Sequence, residues 1–226
     1  MLATTSCPVS DRISLIYADR GILEKEGHSL VLRQDAIDTI IPVGITAAIL
    51  VGPGTTVTHA AVSLCAKEKT LLLWSGEQGV RIYAAGNPRG HPSQLVRQAV
   101  LHADQVSRLA IARRIFSLMF GEEAPPRLSI EQLRGIEGGR VKALYSRLAK
   151  QYGVAWEGRT RDDLRDPVNA ALAGVNAALY GLCEAVILAL GYSPAIGFVH
   201  AGDSRSFVFD VADTTSFIPW FRWPSS

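Results

Sequence analysis

The chain has 226 residues, 48% of them hydrophobic, and a formal net charge of only +2. This length can bury one good core or two smaller ones, and the near-neutral total gives no sign of a nucleic-acid partner. The distribution of charge is less even, because residues 134–165 carry eight basic and four acidic side chains. Any basic surface is therefore expected in that part of the chain.

The cysteines and the apolar segments bear on compartment and class. Three scattered cysteines have no metal-ligand spacing and are predicted to be reduced: Cys7, Cys65 and Cys183. No charged and then apolar leader opens the chain, which favours the cytoplasm. The longest apolar region, residues 168–190, is interrupted by two asparagines and Glu184. This pattern favours a core helix over a membrane span, so we expect no membrane partner.

Residues 1–88 are predicted to form a small β-rich domain. Short apolar runs alternate there with Gly and Pro turns, which is typical of a sandwich or a roll. The predicted strands are residues 13–17, 22–23, 30–32, 37–43, 47–51, 71–74 and 80–84. Thr58 is a candidate cap for one short helix in this domain.

Two prolines and a glycine within residues 87–92 mark the boundary to a second domain, residues 89–226, which is predicted to be helical. Its first helix is predicted over residues 93–120, ended by Gly121. Four arginines along it are either solvated charges or a phosphate-facing stripe: Arg97, Arg108, Arg113 and Arg114. A second helix follows Ser129 and Gln132, which form a capping-box pattern, and a third follows Asp166. The fold class is therefore α+β.

Glu137 lies inside the second predicted helix, next to Gly138 and Gly139. Each glycine in a helix interior costs roughly 1 kcal/mol relative to alanine, which a close approach to another chain or a phosphate would offset. Glu137 taken alone is also compatible with a surface carboxylate paired to Arg134 or Arg140.

Residues 196–213 bring a histidine and three carboxylates into a short, mostly apolar stretch. If the chain is helical from about Asp210 onward, Asp210 and Asp213 share one face, since residues three apart are neighbours on a helix. Carboxylates with one imidazole, here His200, suit a hard cation such as Mg²⁺ or Mn²⁺. The alternative is a buried histidine with two capping aspartates beside a core strand.

Three phrases together resemble the CRISPR-associated integrase family, the catalytic subunit of the spacer-acquisition complex, in its type I-E form. They are LRGIEGGRV at 133–141, GFVHAG at 197–202 and FVFDVAD at 207–213. Further shared phrases are IPVG at 41–44, HAAVSLCA at 59–66 and LAKQYGVAW at 148–156. The resemblance covers residues 11–213, with the three site phrases in the family's order.

The resemblance implies a metal-dependent DNA integrase or endonuclease. In that chemistry the 3′-hydroxyl of a short foreign DNA fragment attacks a phosphodiester at the repeat end of a CRISPR array. Matched by motif, Glu137, His200 and Asp213 are the implied metal ligands, and Asp210 is the remaining acidic site residue. The implied partners are double-stranded and branched DNA, a second copy of the chain and a small second adaptation subunit.

Basic side chains around Glu137 are the candidate DNA contacts: Arg134, Arg140 and Lys142, with Arg81 at the start of a β-domain strand as a weaker candidate. Two alternatives remain open, a structure-selective nuclease on branched DNA and a DNA-binding subunit with impaired chemistry. The second is suggested by the tail, where residues 214–226 carry two prolines and four aromatic residues within eight positions instead of the family's helical segments. We expect no long helix there, and hence a truncated or replaced end.

Overall fold

The structure is a computed structural model that describes residues 13–76, 82–86, 92–156, 158 and 166–221, with the backbone alone at 13–14 and 216–221. The chain divides into two compact units, one of Met1–Arg97 with Ala178–Ser193 and the other of Gln98–Ala177 with Pro194–Ser226. The predicted domain boundary at residue 88 falls on residues 87–91, outside the described part, and stays a prediction.

The first unit is β-rich, as predicted, and its described strands form two four-stranded sheets. The strands are β1 (Ile13–Ala18), β2 (Gly21–Glu26), β3 (Ser29–Arg33), β4 (Asp38–Ile41), β5 (Thr46–Val51), β6 (Thr55–Val57), β7 (Leu71–Ser75) and β8 (Ile82–Gly86). One sheet has the order β1-β5-β7-β8 and the other β4-β3-β2-β6. In the first of these sheets, β1, β5 and β7 are parallel to one another. Parallel pairing was not predicted from the sequence.

The central strands of the first sheet, β5 and β7, are buried on both faces, to which their side chains point alternately. Ile49 and Leu72 face a core shared with the second sheet and with helix α1 (His59–Glu68). Leu50 and Leu73 face the opposite side, where they pack with Ala185. Burial on both faces explains why these strands are continuous apolar runs rather than alternating ones.

Ala185 belongs to helix α5 (Pro167–Ala189), which was predicted as a buried core helix. Its C-terminal part does pack on the sheet, but Val175, Leu182 and Val186 are exposed in the described chain. By length and composition α5 could cross a membrane, and 22% of its most apolar window is buried. The predicted core helix is therefore buried only in part, while the absence of a membrane partner stays a prediction.

The second unit is helical among its described residues. The predicted single helix 93–120 is two helices, α2 (Ser93–Ala103) and α3 (Gln105–Phe120). Asp104 causes the break, because its side chain accepts from the Ser107 N–H and so caps a new helix. Helix α4 (Ile130–Gln151) begins at the predicted capping box and packs on α3 through Phe116 and Leu133. Together the two units confirm the α+β class.

Helix α6 (Ser206–Phe221) carries both aspartates of the predicted site. It begins four residues before Asp210, whereas the sequence suggested a helix from about Asp210 onward. The earlier start is fixed by Asp203, whose carbonyl accepts from the Ser206 N–H and hydroxyl. The expectation of no long helix in the tail is wrong too, since the backbone stays helical through Pro219. Pro219 lies near the end of this helix, so only two helical residues follow the backbone hydrogen bond that its missing N–H removes.

Candidate active site

The candidate site starts from an irregular segment, residues 196–200, that leads into α6. Phe198 and Val199 are buried, at 5% and 7% exposure. Gly197 permits this path, because a Cβ there would lie 2.5 Å from the His200 carbonyl oxygen and 2.8 Å from the Ser206 carbonyl carbon. Any larger residue would push the segment away from the start of the helix.

Asp210 is the buried anchor of this segment, with only 1% of its surface exposed. Its Oδ2 accepts from the backbone N–H groups of Phe198 and Val199, at 2.5 and 3.1 Å. Its Oδ1 accepts from the His200 N–H at 2.9 Å and lies 2.9 Å from the His200 ring Nδ1. The carboxylate thus gathers three successive amides and one imidazole, which compensates for burying a charge.

The contact with Asp210 sets the tautomer of His200. A carboxylate only accepts, so Nδ1 carries the hydrogen and the lone pair of the neutral ring lies on Nε2. Nε2 is turned toward Asp213, whose Oδ2 is 4.0 Å away. Asp213 follows Asp210 by three residues on α6, so the predicted shared face does bring both carboxylates to His200. The contacts also show different roles, with Asp210 behind the ring and Asp213 in front of it.

The pKa of His200 is raised, first by its hydrogen bond to Asp210 and also by the charge of Asp213. Burial opposes this change but does not outweigh it. A protonated ring has no lone pair to offer, so a cation would have to displace the Nε2 proton. Cation binding at this histidine is therefore expected to weaken as the solution becomes more acidic.

Glu137 comes from α4 and is half-buried. Burial, and after it the negative charge of Asp213, raises its pKa to about 7, while His200 and Arg134 act in the opposite direction. Glu137 is therefore near enough to Asp213 for the two negative charges to repel, since like charges disfavour ionisation. From the sequence, Glu137 could have formed a surface ion pair with Arg140. In the structure Arg140 instead pairs with Glu122 at 2.5 Å and lies over the Phe120 ring.

The described side chains approach one another without forming a closed metal cage. No group of three or more His, Cys, Asp or Glu residues in the described part of the chain is close enough to hold a metal ion as it stands. A Mg²⁺ ion with bonds of about 2.1 Å places neighbouring ligand atoms about 3 Å apart, compared with 4.0 Å between His200 Nε2 and Asp213 Oδ2. The acidic side chains would have to draw together around a cation.

The glycines around Glu137 on α4 are exposed. A Cβ at Gly135, Gly138 or Gly139 would meet nothing within 4 Å. Packing within the described chain therefore does not require these glycines. Arg134 and Lys142 are exposed on the same helix. Arg81, the remaining candidate DNA contact, lies outside the described residues.

Three residues that the sequence reading did not assign to the site bind successive carbonyl oxygens of its loop. Gln98 Nε2 donates to Ile196 at 2.8 Å, and Arg108 Nε donates to Phe198 at 3.0 Å. Between them, His102 Nδ1 lies 2.6 Å from the carbonyl oxygen of Gly197. Arg108 had been interpreted as a solvated or phosphate-facing charge. The sequence signal that could have pointed to this role is Gln98, a polar residue within the apolar stripe of its predicted helix.

Comparison with known proteins places this geometry in a family. A sequence profile described as "CRISPR associated protein Cas1" matches residues 119–214, the segment that contains Glu137, His200, Asp210 and Asp213. The CRISPR-associated endonuclease Cas1 of Escherichia coli (strain K12) is 50% identical over 216 residues, which cover 93% of this chain and 71% of the relative. The protein of the same name from Geobacter sulfurreducens is 47% identical, with the same two coverages.

The solved structures agree with the sequence comparison. The chain superimposes on the crystal structure of a TtCas1–DNA complex with a TM-score of 0.80 and 36% identity. The match covers 94% of this chain and 82% of that one, so it includes both the β-rich region and the helices that carry the site. The chain belongs to the CRISPR-associated protein Cas1 family.

Proposed function

We propose that this protein is a metal-dependent DNA integrase and endonuclease that inserts short foreign DNA fragments into a CRISPR array. The observation that carries the proposal is the orientation of His200, which Asp210 holds from behind so that Nε2 faces Asp213. A histidine that gives its other ring N–H to a carboxylate is the usual arrangement of a metal ligand. Relatives named CRISPR-associated endonuclease support the nuclease part of the proposal.

The donor set suits Mg²⁺ or Mn²⁺. Two carboxylates and one neutral imidazole would come from Glu137, Asp213 and His200, and hard cations of this kind prefer oxygen-rich sites. The raised pKa of Glu137 supports the fit, because a cation would relieve the repulsion from Asp213 that raises it. A bound cation would polarise the phosphoryl group and stabilise the leaving oxygen.

The reaction exchanges one phosphodiester for another. The 3′-hydroxyl oxygen of the fragment bonds to the phosphorus at the repeat end, and the bond from that phosphorus to the 3′-oxygen of the cut strand breaks. The attacking hydroxyl loses its proton and the leaving oxygen gains one, so no outside energy source is needed. The protein mainly has to hold the two ends in line, as in other phosphoryl transfers.

DNA binding is proposed to involve the exposed basic residues of α4 and a neighbouring groove. A groove of about 820 Å³ is lined by Arg108, Arg113 and Arg127, and none of its described lining residues is acidic. The similarity to a relative solved as a DNA complex supports DNA as the partner. Replacing Arg134, Arg140 and Lys142 by alanine should weaken DNA binding and flatten the slope of log K against log salt. Affinity unchanged between low and physiological salt would contradict phosphate-dominated binding.

The assembly is proposed from the family resemblance. We expect the type I-E form, cytoplasmic, acting as a homodimer, with two dimers bridged by a small second adaptation subunit. Sedimentation of the chain alone and with that subunit is the direct measurement.

Strand transfer with defined DNA ends and Mn²⁺ tests the proposed function. Glu137→Ala, His200→Ala and Asp213→Ala should each abolish the product, since each removes one of about three protein ligands. Glu123→Ala is the matched control, because it removes an exposed carboxylate of the same unit. Unchanged activity in two of the three site variants would refute the assignment. Hydrolysis of branched DNA without strand transfer would favour the nuclease alternative, and DNA binding without either would favour an impaired subunit.

A further inference from the structure

The segment 196–200 has neither helix nor strand to fix its backbone, yet it presents the one histidine of the site. Its hydrogen bonds come from two sides. Asp210 binds the amides of Phe198, Val199 and His200, as described above. Side chains of α2 and α3 bind the carbonyls of residues 196, 197 and 198. Both polar backbone groups of Phe198 are thereby bound to side chains rather than to other backbone.

We propose that Gln98, His102 and Arg108 are positioning residues for His200, which fix the loop from the side opposite Asp210 and so determine where Nε2 lies. The inference rests on the proposed function, because the location of Nε2 matters to the reaction only if it binds a cation. None of the three residues needs to touch the metal. They act through the backbone that carries the ligand, as outer hydrogen bonds do in metal sites.

His102 is the most informative of the three. A carbonyl oxygen only accepts, so His102 Nδ1 must carry the hydrogen in its contact with Gly197. The ring also packs edge-on against Phe198, with centroids 6.4 Å apart. Gly197 is buried and the neighbouring Gln98 is 2% exposed, so little water can reach this carbonyl to replace a lost donor. Removing the His102 donor should therefore free the loop rather than merely rehydrate it.

The test compares His102→Leu with His102→Asn, because the asparagine Nδ2 lies as many bonds from Cα as the histidine Nδ1 and restores the donor. The probe is Mn²⁺ alone, without DNA, and free Mn²⁺ is measured by electron paramagnetic resonance. We expect the leucine variant to bind Mn²⁺ about tenfold more weakly, as for outer-shell losses in other metal sites. The asparagine variant should retain most of the affinity.

A second readout needs no metal. The ¹⁵N spectrum of the His200 ring at alkaline pH should show the Nδ1–H tautomer in the unchanged protein and in His102→Asn. A mixture of tautomers is expected in His102→Leu, because the loop no longer holds the ring against Asp210. Arg108→Met and Arg108→Lys form an independent pair with the same expectations, should the leucine variant fail to fold.

Folded leucine and methionine variants with unchanged Mn²⁺ affinity and an unchanged His200 spectrum would overturn the inference. Equal losses in His102→Leu and His102→Asn would also overturn it, since the donor would then be irrelevant. If the unchanged protein binds no Mn²⁺, the proposed function fails, and the ring spectrum still decides whether these residues position His200.

Discussion

The two halves of the candidate site are built in opposite ways. In the half formed by residues 196–213, Asp210 is 1% exposed and accepts from three successive backbone amides. In the half formed by α4, Glu137 is half-buried beside glycines whose missing Cβ atoms would meet nothing within 4 Å. One half is fixed by hydrogen bonds, whereas the other places a half-buried carboxylate beside exposed glycines.

The contrast separates stability from function. A buried, fully bonded carboxylate contributes to folding, and its removal leaves orphaned donors. A partly buried carboxylate with a raised pKa costs stability when it ionises, and such groups are typical of functional sites. We therefore expect changes at Asp210 to unfold the protein and changes at Glu137 to stabilise it while destroying activity.

The largest effect is expected for Asp210→Ala. The variant leaves three amides and the His200 ring N–H without their acceptor inside the protein, so the free energy of unfolding should fall by about 3 kcal/mol or more. Urea unfolding followed by circular dichroism measures it. Asp213→Ala is the matched control on the same helix and should change stability far less. Equal losses of stability in the two variants would contradict the proposal that Asp210 contributes far more to folding than Asp213 does.

An effect of intermediate size on stability is expected when the pH of the metal-free protein is changed. The folded pKa of Glu137 is about 7, above its ordinary value of 4.5, so the folded state binds more protons in that window. Stability should therefore fall as pH rises from about 4.5 to about 7. The raised pKa of His200 acts in the same direction at higher pH, because its stabilisation is lost as the ring deprotonates.

Glu137→Gln isolates the carboxylate in this experiment. The variant should be more stable than the unchanged protein at pH 7.5 and should lack the loss between pH 4.5 and 7. Added Mn²⁺ should stabilise the unchanged protein more at pH 7.5 than at pH 5.5, since Glu137 and His200 must both lose their protons to bind the cation. A stability profile that is identical in the two proteins would show that Glu137 is not in the repulsive position described.

The smallest effect is expected for Gly138→Ala. Its Cβ meets nothing in the described chain, so the change should stabilise α4 by about 0.5–1 kcal/mol. If DNA or a partner backbone approaches α4 at this point, the same variant should bind DNA more weakly although it is more stable. A gain in stability with full DNA affinity would show that the glycine serves no contact there.

The sequence predicted most of the regular structure, for identifiable reasons. Local signals were sufficient at the capping box of Ser129 and Gln132 and at the end of α3 at Gly121. They failed where a single side chain redirected the chain, as at Asp104, and where α6 began at Ser206 rather than near Asp210. Both depend on hydrogen bonds within a few residues that hydrophobic periodicity does not register.

The site was predicted in its residues but not in its division of roles. Spacing placed Asp210 and Asp213 on one face, yet only the contacts show that Asp210 orients His200 while Asp213 faces its free nitrogen. Gln98 and His102 were missed because they contact the loop across about 95 residues of sequence.

The most direct test of the site is a crystal of the protein grown with Mn²⁺ and measured at the manganese absorption edge. We predict one anomalous peak bonded to His200 Nε2 and to carboxylate oxygens of Glu137 and Asp213, with Asp210 still bonded to His200 Nδ1. Glu137→Ala should lose the peak or greatly weaken it. A peak elsewhere, or no peak in crystals of a protein that performs Mn²⁺-dependent strand transfer, would contradict the assignment of these residues.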